Sequence, residues 1–200
     1  MTTLEKLEEL IYHGFKETDK RFQETDRRIK ENDDLLNKKL DRLAKQVGDI
    51  TDSLGRFAES TVFPAVIPLF KKRGIQINQL WGRLPAVQNG REMELDIAGI
   101  GPECAVVIEV KLRLKQDHVE KFLQSLPHVF DYFPLLRRPV LYGGVAAMSI
   151  DKEVDRFAYK QGLFVLTQTG DNLRVWNDQA FKPRSFHSTK SNGAQKRKKT

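Results

Sequence analysis

The sequence predicts an α/β protein: a long N-terminal helix followed by a three-layer domain with a central mixed sheet. Three observations predict it. An apolar residue recurs every seven positions from Phe15 to Phe57, the run Ala105–Leu112 is rich in β-branched residues, and strand and helix patterns alternate from there to Trp176.

The heptad series is Phe15, Phe22, Ile29, Leu36, Leu43, Ile50 and Phe57. From Leu36 a second apolar position joins it, as Leu40, Val47 and Leu54, and alternating steps of four and three form the seam of a left-handed coiled coil. In the first half Asp19, Asp26 and Asp33 take that second position, so the seam there is half polar. No proline falls before Pro64, and Glu, Lys, Arg and Leu dominate, as a long helix requires. A homodimer joined through residues 15–57 is expected. Past Phe57 the helix turns more apolar through Val62, Val66 and Phe70, with a bend expected at Pro64. Lys71-Lys72-Arg73-Gly74 closes it with bases in the last turn and a glycine beyond.

Strands are expected at Ile75–Trp81, Met93–Ile97, Ala105–Leu112, Pro139–Ala147 and Leu163–Thr167. Asn89-Gly90 supplies a tight turn, and Gly170-Asp171-Asn172 leads into a last strand, Leu173–Trp176. Lys115–Phe133 carries Val119, Phe122, Leu126 and Phe130 on one helical face. Asp151–Gln161 reads as an amphipathic helix capped by Asp151. The expected divisions are a coiled-coil helix over 1–51, a compact domain over 52–182 and a basic flexible tail over 183–200.

Charge bears on partners. Residues 1–57 hold 12 bases against 13 acids and residues 58–180 hold 15 against 14, so the +7 surplus sits in the last twenty residues, with seven bases and no acid. A uniformly basic nucleic-acid coat is thereby excluded, and the tail is left to add salt-sensitive affinity. One cysteine, Cys104, excludes an intrachain disulfide framework and a Cys-based zinc site. The stretch Ser60–Phe70 is too short and too broken by Pro64 and Pro68 to span a membrane. With no apolar leader after Met1, a cytoplasmic protein is expected.

The chemistry concentrates in Glu94-Leu-Asp96-Ile-Ala-Gly and Ala105-Val-Val-Ile-Glu109-Val-Lys111. Strand alternation puts Glu94, Asp96 and Ala98 on one face and Leu95 and Ile97 on the other. It likewise gives Glu109 and Lys111 one face and Val106, Ile108 and Val110 the opposite one. Charges at the end of so apolar a strand need partners. Two answers are open: a salt-bridged cluster, or a divalent cation held by Asp96 and Glu109, with Lys111 stabilising charge on a phosphoryl group.

With Asp96 followed thirteen residues later by Glu109-Val-Lys111 across a hairpin, the sequence resembles the PD-(D/E)XK nuclease superfamily, the restriction-endonuclease-like fold. It is most similar to short members with an N-terminal coiled coil, over roughly residues 52–180. The resemblance implies Mg²⁺ or Mn²⁺ on Asp96 and Glu109, assistance by Lys111, and a further acid from the first core helix, for which Glu59 is the candidate. Leu95 stands where many members have proline. The implied function is hydrolysis of phosphodiester bonds in DNA, less readily RNA. The alternative is an inactive nuclease-like scaffold that serves as a coiled-coil interaction or nucleic-acid-binding module. Glu94, on the face of Asp96, is a candidate to support that ligand or to replace it, or else a solvated strand-end acid, and Gln124 is a weaker candidate to meet the site. His13, His118, His128 and His187 show no ligand spacing. Gly143-Gly144 reads as close packing, and Gly99-x-Gly101 as a hairpin closure without nucleotide-binding character.

Overall fold

The computed structural model describes residues 2–170 and 172–186, the Glu5 side chain excepted. Helix α1 runs over Thr3–Lys71. Strands β1 (Gln79–Gln88), β2 (Arg91–Ile100) and β3 (Cys104–Leu114) follow, then helix α2 (Gln116–Ser125), a 3-10 turn and the short helix α3 (Val129–Tyr132). Strand β4 (Val140–Ile150), helix α4 (Val154–Lys160), and strands β5 (Phe164–Thr169) and β6 (Asn172–Val175) complete the order. The α/β class, the long first helix and the mixed sheet are as expected. Chain contacts divide the molecule into two compact units, Met1–Thr51 and Asp52–Thr200.

In the first unit every described residue of α1 is exposed, the heptad residues Phe15, Phe22, Ile29, Leu36, Leu43 and Ile50 among them. In the second unit α1 continues through Pro64 and Pro68 as one helical element. Both prolines lie on the exposed side, so each forfeits one main-chain bond while Ala58, Val62, Val66 and Phe70 anchor the opposite side.

The six strands stand in sequence order. β1, β2 and β3 pair antiparallel, β3, β4 and β5 parallel, and β6 returns antiparallel on β5. The two parallel steps need crossovers, which α2 with α3 and α4 provide. Each face of the sheet buries its own core. Ala58, Val62, Val66 and Phe70 of α1 pack on Ile97, Val106, Ile108, Val110 and Phe164. Val119, Phe122, Leu126 and Ala158 cover Leu95, Ala98, Val107, Val145 and Val165 on the other face. Helix, sheet and helices make the three layers. Gly143 permits close packing of this layer: a Cβ there would lie 2.7 Å from both Leu126 Cδ1 and Leu163 Cδ2.

Three local expectations are corrected. β1 runs to Gln88, seven residues beyond the expected end at Trp81. It accommodates Pro85 because it is an edge strand, where a missing amide costs no second ladder. The stretch expected as one helix from Lys115 to Phe133 is broken at Leu126–His128, where Pro127 cannot continue an α-helical ladder. Asp151 does not cap α4. The helix starts at Val154 after Glu153 in a left-handed conformation (φ 67°), and Asp151 instead takes the Arg113 guanidinium at 2.5 Å.

Residues 183–186 of the expected tail are placed against the domain. Phe186 is buried on the α2 and α4 side of the sheet, and its N–H donates to Leu141 O at 2.8 Å. Ser185 bridges Tyr142. The remaining bases of the tail, Lys190 to Lys199, and His187 lie outside the described residues.

Candidate functional site

The site is built where β1, β2 and β3 cease to be regular. Across the β1–β2 hairpin the register is constant, with Gly82 opposite Ile97 and Leu84 opposite Leu95, yet Arg83 and Asp96 between them form no bridge. Arg83 has φ 50°, a left-handed conformation disfavoured for a residue with a Cβ. Both strands change phase there. Leu84 and Leu95 face the α2 side, Ile97 faces α1, and Trp81 and Ala98 return to the α2 side. The simple alternation expected for residues 94–98 is therefore broken at Asp96: Leu95 and Ile97 lie on opposite faces, and Leu95 shares its face with Ala98.

β2 and β3 also part at this point. Their ladder runs from Ile100 opposite Ala105 to Ile97 opposite Ile108 and stops. The Asp96 side chain replaces it, with Oδ2 accepting the Val110 N–H at 2.7 Å. On β3, Val106, Ile108 and Val110 face α1 as expected, and Glu109 and Lys111 leave by the other side of the strand. The Lys111 ammonium pairs with Glu109 Oε1 and stands 3.7 Å from Asp96 Oδ2. Asp96, Glu109 and Lys111 are thus brought together, and each is largely shielded from water.

Glu59 projects from α1 with its side chain 18% exposed, and Arg83 Nε lies 3.7 Å from its Oε2. A second nitrogen of Arg83 is 3.3 Å from Glu94 Oε1, so Glu94 pairs with an arginine at the groove margin. Arg56, Glu59, Ser60, Phe63, Gly82, Arg83, Asp96 and Ile97 line one open groove of about 460 Å³. Gln124 does not line it. His118 accepts the Lys115 N–H at 3.3 Å, and His128 faces Asp131 at 3.6 Å, so neither joins the site.

The carboxylates press on one another. Burial raises the Glu59 pKa above its ordinary value; Arg83 pulls it back, and Asp96 and Glu94 push it up again. Glu109 is raised by burial first and by the Asp96 charge second, against the opposing pull of Lys111. At Lys111 burial works to lower the pKa, but Glu109 and Asp96 outweigh it and the net shift is upward. Mutual repulsion among carboxylates is relieved by any cation placed between them.

These donors suit a hard divalent ion. Among the described residues no three acidic, histidine or cysteine side chains converge to cage a metal. Mg²⁺ needs no such cage, since it keeps several waters and takes one or two carboxylates together with substrate phosphate.

Sequence reading passed over Arg83 and Arg56. The signal for Arg83 was present in the Asn89-Gly90 turn. Gln88 opposite Arg91 fixes the hairpin register, and counting back five residues puts Arg83 opposite Asp96.

The chain matches no family model and no curated protein. Two solved structures resemble it. The protein of unknown function AF1548 is 13% identical, with a TM-score of 0.38 over 55% of this chain and 58% of that one. A repair endonuclease from Pyrococcus abyssi is 20% identical, with a TM-score of 0.29 over 42% of this chain and 38% of that one. The chain therefore spans a little over half of the first and under half of the second.

Proposed function

We propose that this chain is a Mg²⁺- or Mn²⁺-dependent nuclease of the PD-(D/E)XK kind, acting on DNA as a homodimer joined through the seam of α1. The observation that carries the reading is the junction of Asp96, Glu109 and Lys111 at the point where β2 and β3 part, with Asp96 also lining the groove that Glu59 faces.

Asp96 and Glu109 would hold the cation. Bound there, it supplies Lewis-acid polarisation of a phosphoryl oxygen and lowers the pKa of a water. Lys111 contributes a fixed positive charge beside the reacting phosphate, shielded enough from solvent to act strongly on charge developing in the transition state. Asp96 is kept in position by the Val110 amide. Glu59 supplies a further acceptor on the opposite wall, with its proton affinity raised by burial.

The dimer rests on the exposed seam. Leu36, Leu40, Leu43, Val47 and Ile50 are each more than half exposed in the single chain, and a second helix packing knobs into holes would cover them.

A second reading is favoured by the Lys111 ammonium, which pairs with both Glu109 and Asp96 and offsets one of their two charges without any metal ion. On that reading the cluster is structural, and the domain binds without turnover. Purified full-length protein incubated with supercoiled plasmid separates the two. Nicking with Mg²⁺ or Mn²⁺ that EDTA stops supports the nuclease. No nicking by a protein that leaves the plasmid mobility shifted supports the scaffold.

A further inference from the structure

Arg83 has no part in the chemistry above, yet the hairpin is deformed around it. Its φ of 50° is one that glycine adopts freely, so a strand optimised only for regularity would not place an arginine there. The residue stands opposite Asp96 and lines the same groove as Glu59 and Asp96. Its guanidinium is held loosely, 3.7 Å from Glu59 Oε2 and 3.3 Å from Glu94 Oε1, and its side chain is 49% exposed. Ion pairs this open contribute little to stability, so the structural purchase of Arg83 is small against the deformation it occupies. What the pairs do provide is position: two carboxylates hold a planar fork of donors at the mouth of the groove.

Arg56 supplies a second guanidinium to the groove, and among the described residues it donates to Ser53 Oγ at 3.3 Å. Phe63, Gly82 and Ile97 supply an apolar part of the same lining. A pair of guanidinium groups in a partly apolar groove matches a strand of phosphodiesters, whose phosphates take a guanidinium fork bidentately and whose sugars and bases tolerate apolar contact.

We infer that Arg83 is the substrate-positioning arginine of the groove: it grips a phosphate of the nucleic-acid strand flanking the one at Asp96, exchanging Glu59 and Glu94 for that phosphate when substrate enters. Only the placement of the gripped phosphate beside the one at Asp96 rests on the reading of Asp96 and Glu109 as a cation site. The grip itself is a property of the arginine and the groove.

The test compares full-length parent, Arg83→Gly and Arg83→Lys in three measurements: anisotropy of a fluorescein-labelled DNA oligonucleotide without metal and with Mg²⁺, steady-state cleavage, and thermal melting. Glycine suits the backbone at residue 83, so Arg83→Gly should melt at or above the parent temperature. Its oligonucleotide affinity should fall roughly 10- to 100-fold, as for loss of a charge-assisted hydrogen-bond pair, and the salt slope should drop by about 0.9. KM should rise with kcat nearly unchanged, and Arg83→Lys should recover part of the affinity. Parent-like affinity and salt slope in Arg83→Gly overturn the inference, as does a lowered melting temperature with unchanged binding. A parent protein that binds oligonucleotide through Arg83 but neither binds Mg²⁺ nor cleaves overturns the nuclease reading alone. A parent that binds no oligonucleotide overturns both.

Discussion

The Asp96 carboxylate stands in for a missing rung of the sheet, accepting the Val110 amide at 2.7 Å where the β2–β3 ladder ends. One oxygen is thus structural while the carboxyl as a whole faces the groove, which separates the effects of two substitutions. Asp96→Asn keeps a carbonyl oxygen for the amide and should unfold in urea near the parent midpoint. Asp96→Ala strands a partly buried N–H and should lose about 1–3 kcal/mol. Both should lose Mg²⁺ binding by calorimetry. Equal destabilisation of the two variants would show that the charge, and not the hydrogen bond, holds this place.

Glu109 ties stability to pH. Its carboxyl is raised above the ordinary 4.5, by burial and then by Asp96, so the folded chain binds this proton more readily than the unfolded one. The ionised group therefore costs stability above its folded pKa, and the cost disappears as pH falls to the unfolded value and below. Metal-free parent should gain stability relative to Glu109→Gln as pH drops from neutral toward 4.5 and then level off. Urea midpoints across that window measure it; a gap that is constant with pH contradicts the assigned direction.

Lys111→Ala distinguishes catalysis from architecture. Asp96 and Glu109 remain to hold the cation, so Mg²⁺ binding should persist or tighten once the competing ammonium is gone. Turnover should fall roughly 10²- to 10³-fold, as for one lost transition-state charge stabiliser. Loss of metal binding in this variant would mean that Lys111 positions the carboxylates rather than the phosphate.

The second half of the α1 seam should set the oligomeric state. Leu43 and Ile50 are 56% and 60% exposed in the single chain, and covering the exposed part of one such side chain in both copies contributes about 2–4 kcal/mol. Light scattering should show full-length protein as a dimer at micromolar concentration and the Leu43→Glu, Ile50→Glu double variant as a monomer with the melting of residues 52–186 unchanged. A parent monomer at tens of micromolar refutes the seam.

Regular structure was legible in the sequence, and irregular structure was not. Heptads gave α1 because repetition every seven residues has one physical solution, and Ala105–Leu112 gave β3 because a run so apolar and β-branched fits a central strand. Gly82-Arg-Leu-Pro85 looked like a strand end, since neither glycine nor proline is at home in a ladder, but an edge strand needs only one set of its amides. The triad Asp96, Glu109 and Lys111 was found from spacing, although the face assigned to Asp96 assumed an unbroken pleat. A left-handed arginine is rare enough that no local pattern announces it. The break at Arg83 and Asp96 emerges only once the strands are paired.

Phe186 sets where the basic tail can be cut. Its ring is 5% exposed, stacked under the Arg184 guanidinium at 4.9 Å and joined to β4 through Leu141. A chain ending at residue 185 should therefore lose about 3–5 kcal/mol, the cost of emptying a buried phenylalanine site. Ending the chain after Phe186 should leave stability untouched while removing Lys190, Lys196, Arg197, Lys198 and Lys199. These five bases have no acid among them, and each phosphate neutralised adds about 0.9 to the dependence of log affinity on log salt for duplex DNA. The chain ending after Phe186 should thus fold as the parent does and bind DNA with a flatter salt dependence. An unchanged slope in that variant assigns the nucleic-acid contact to the groove between Arg56 and Arg83 and leaves the tail without a part in it.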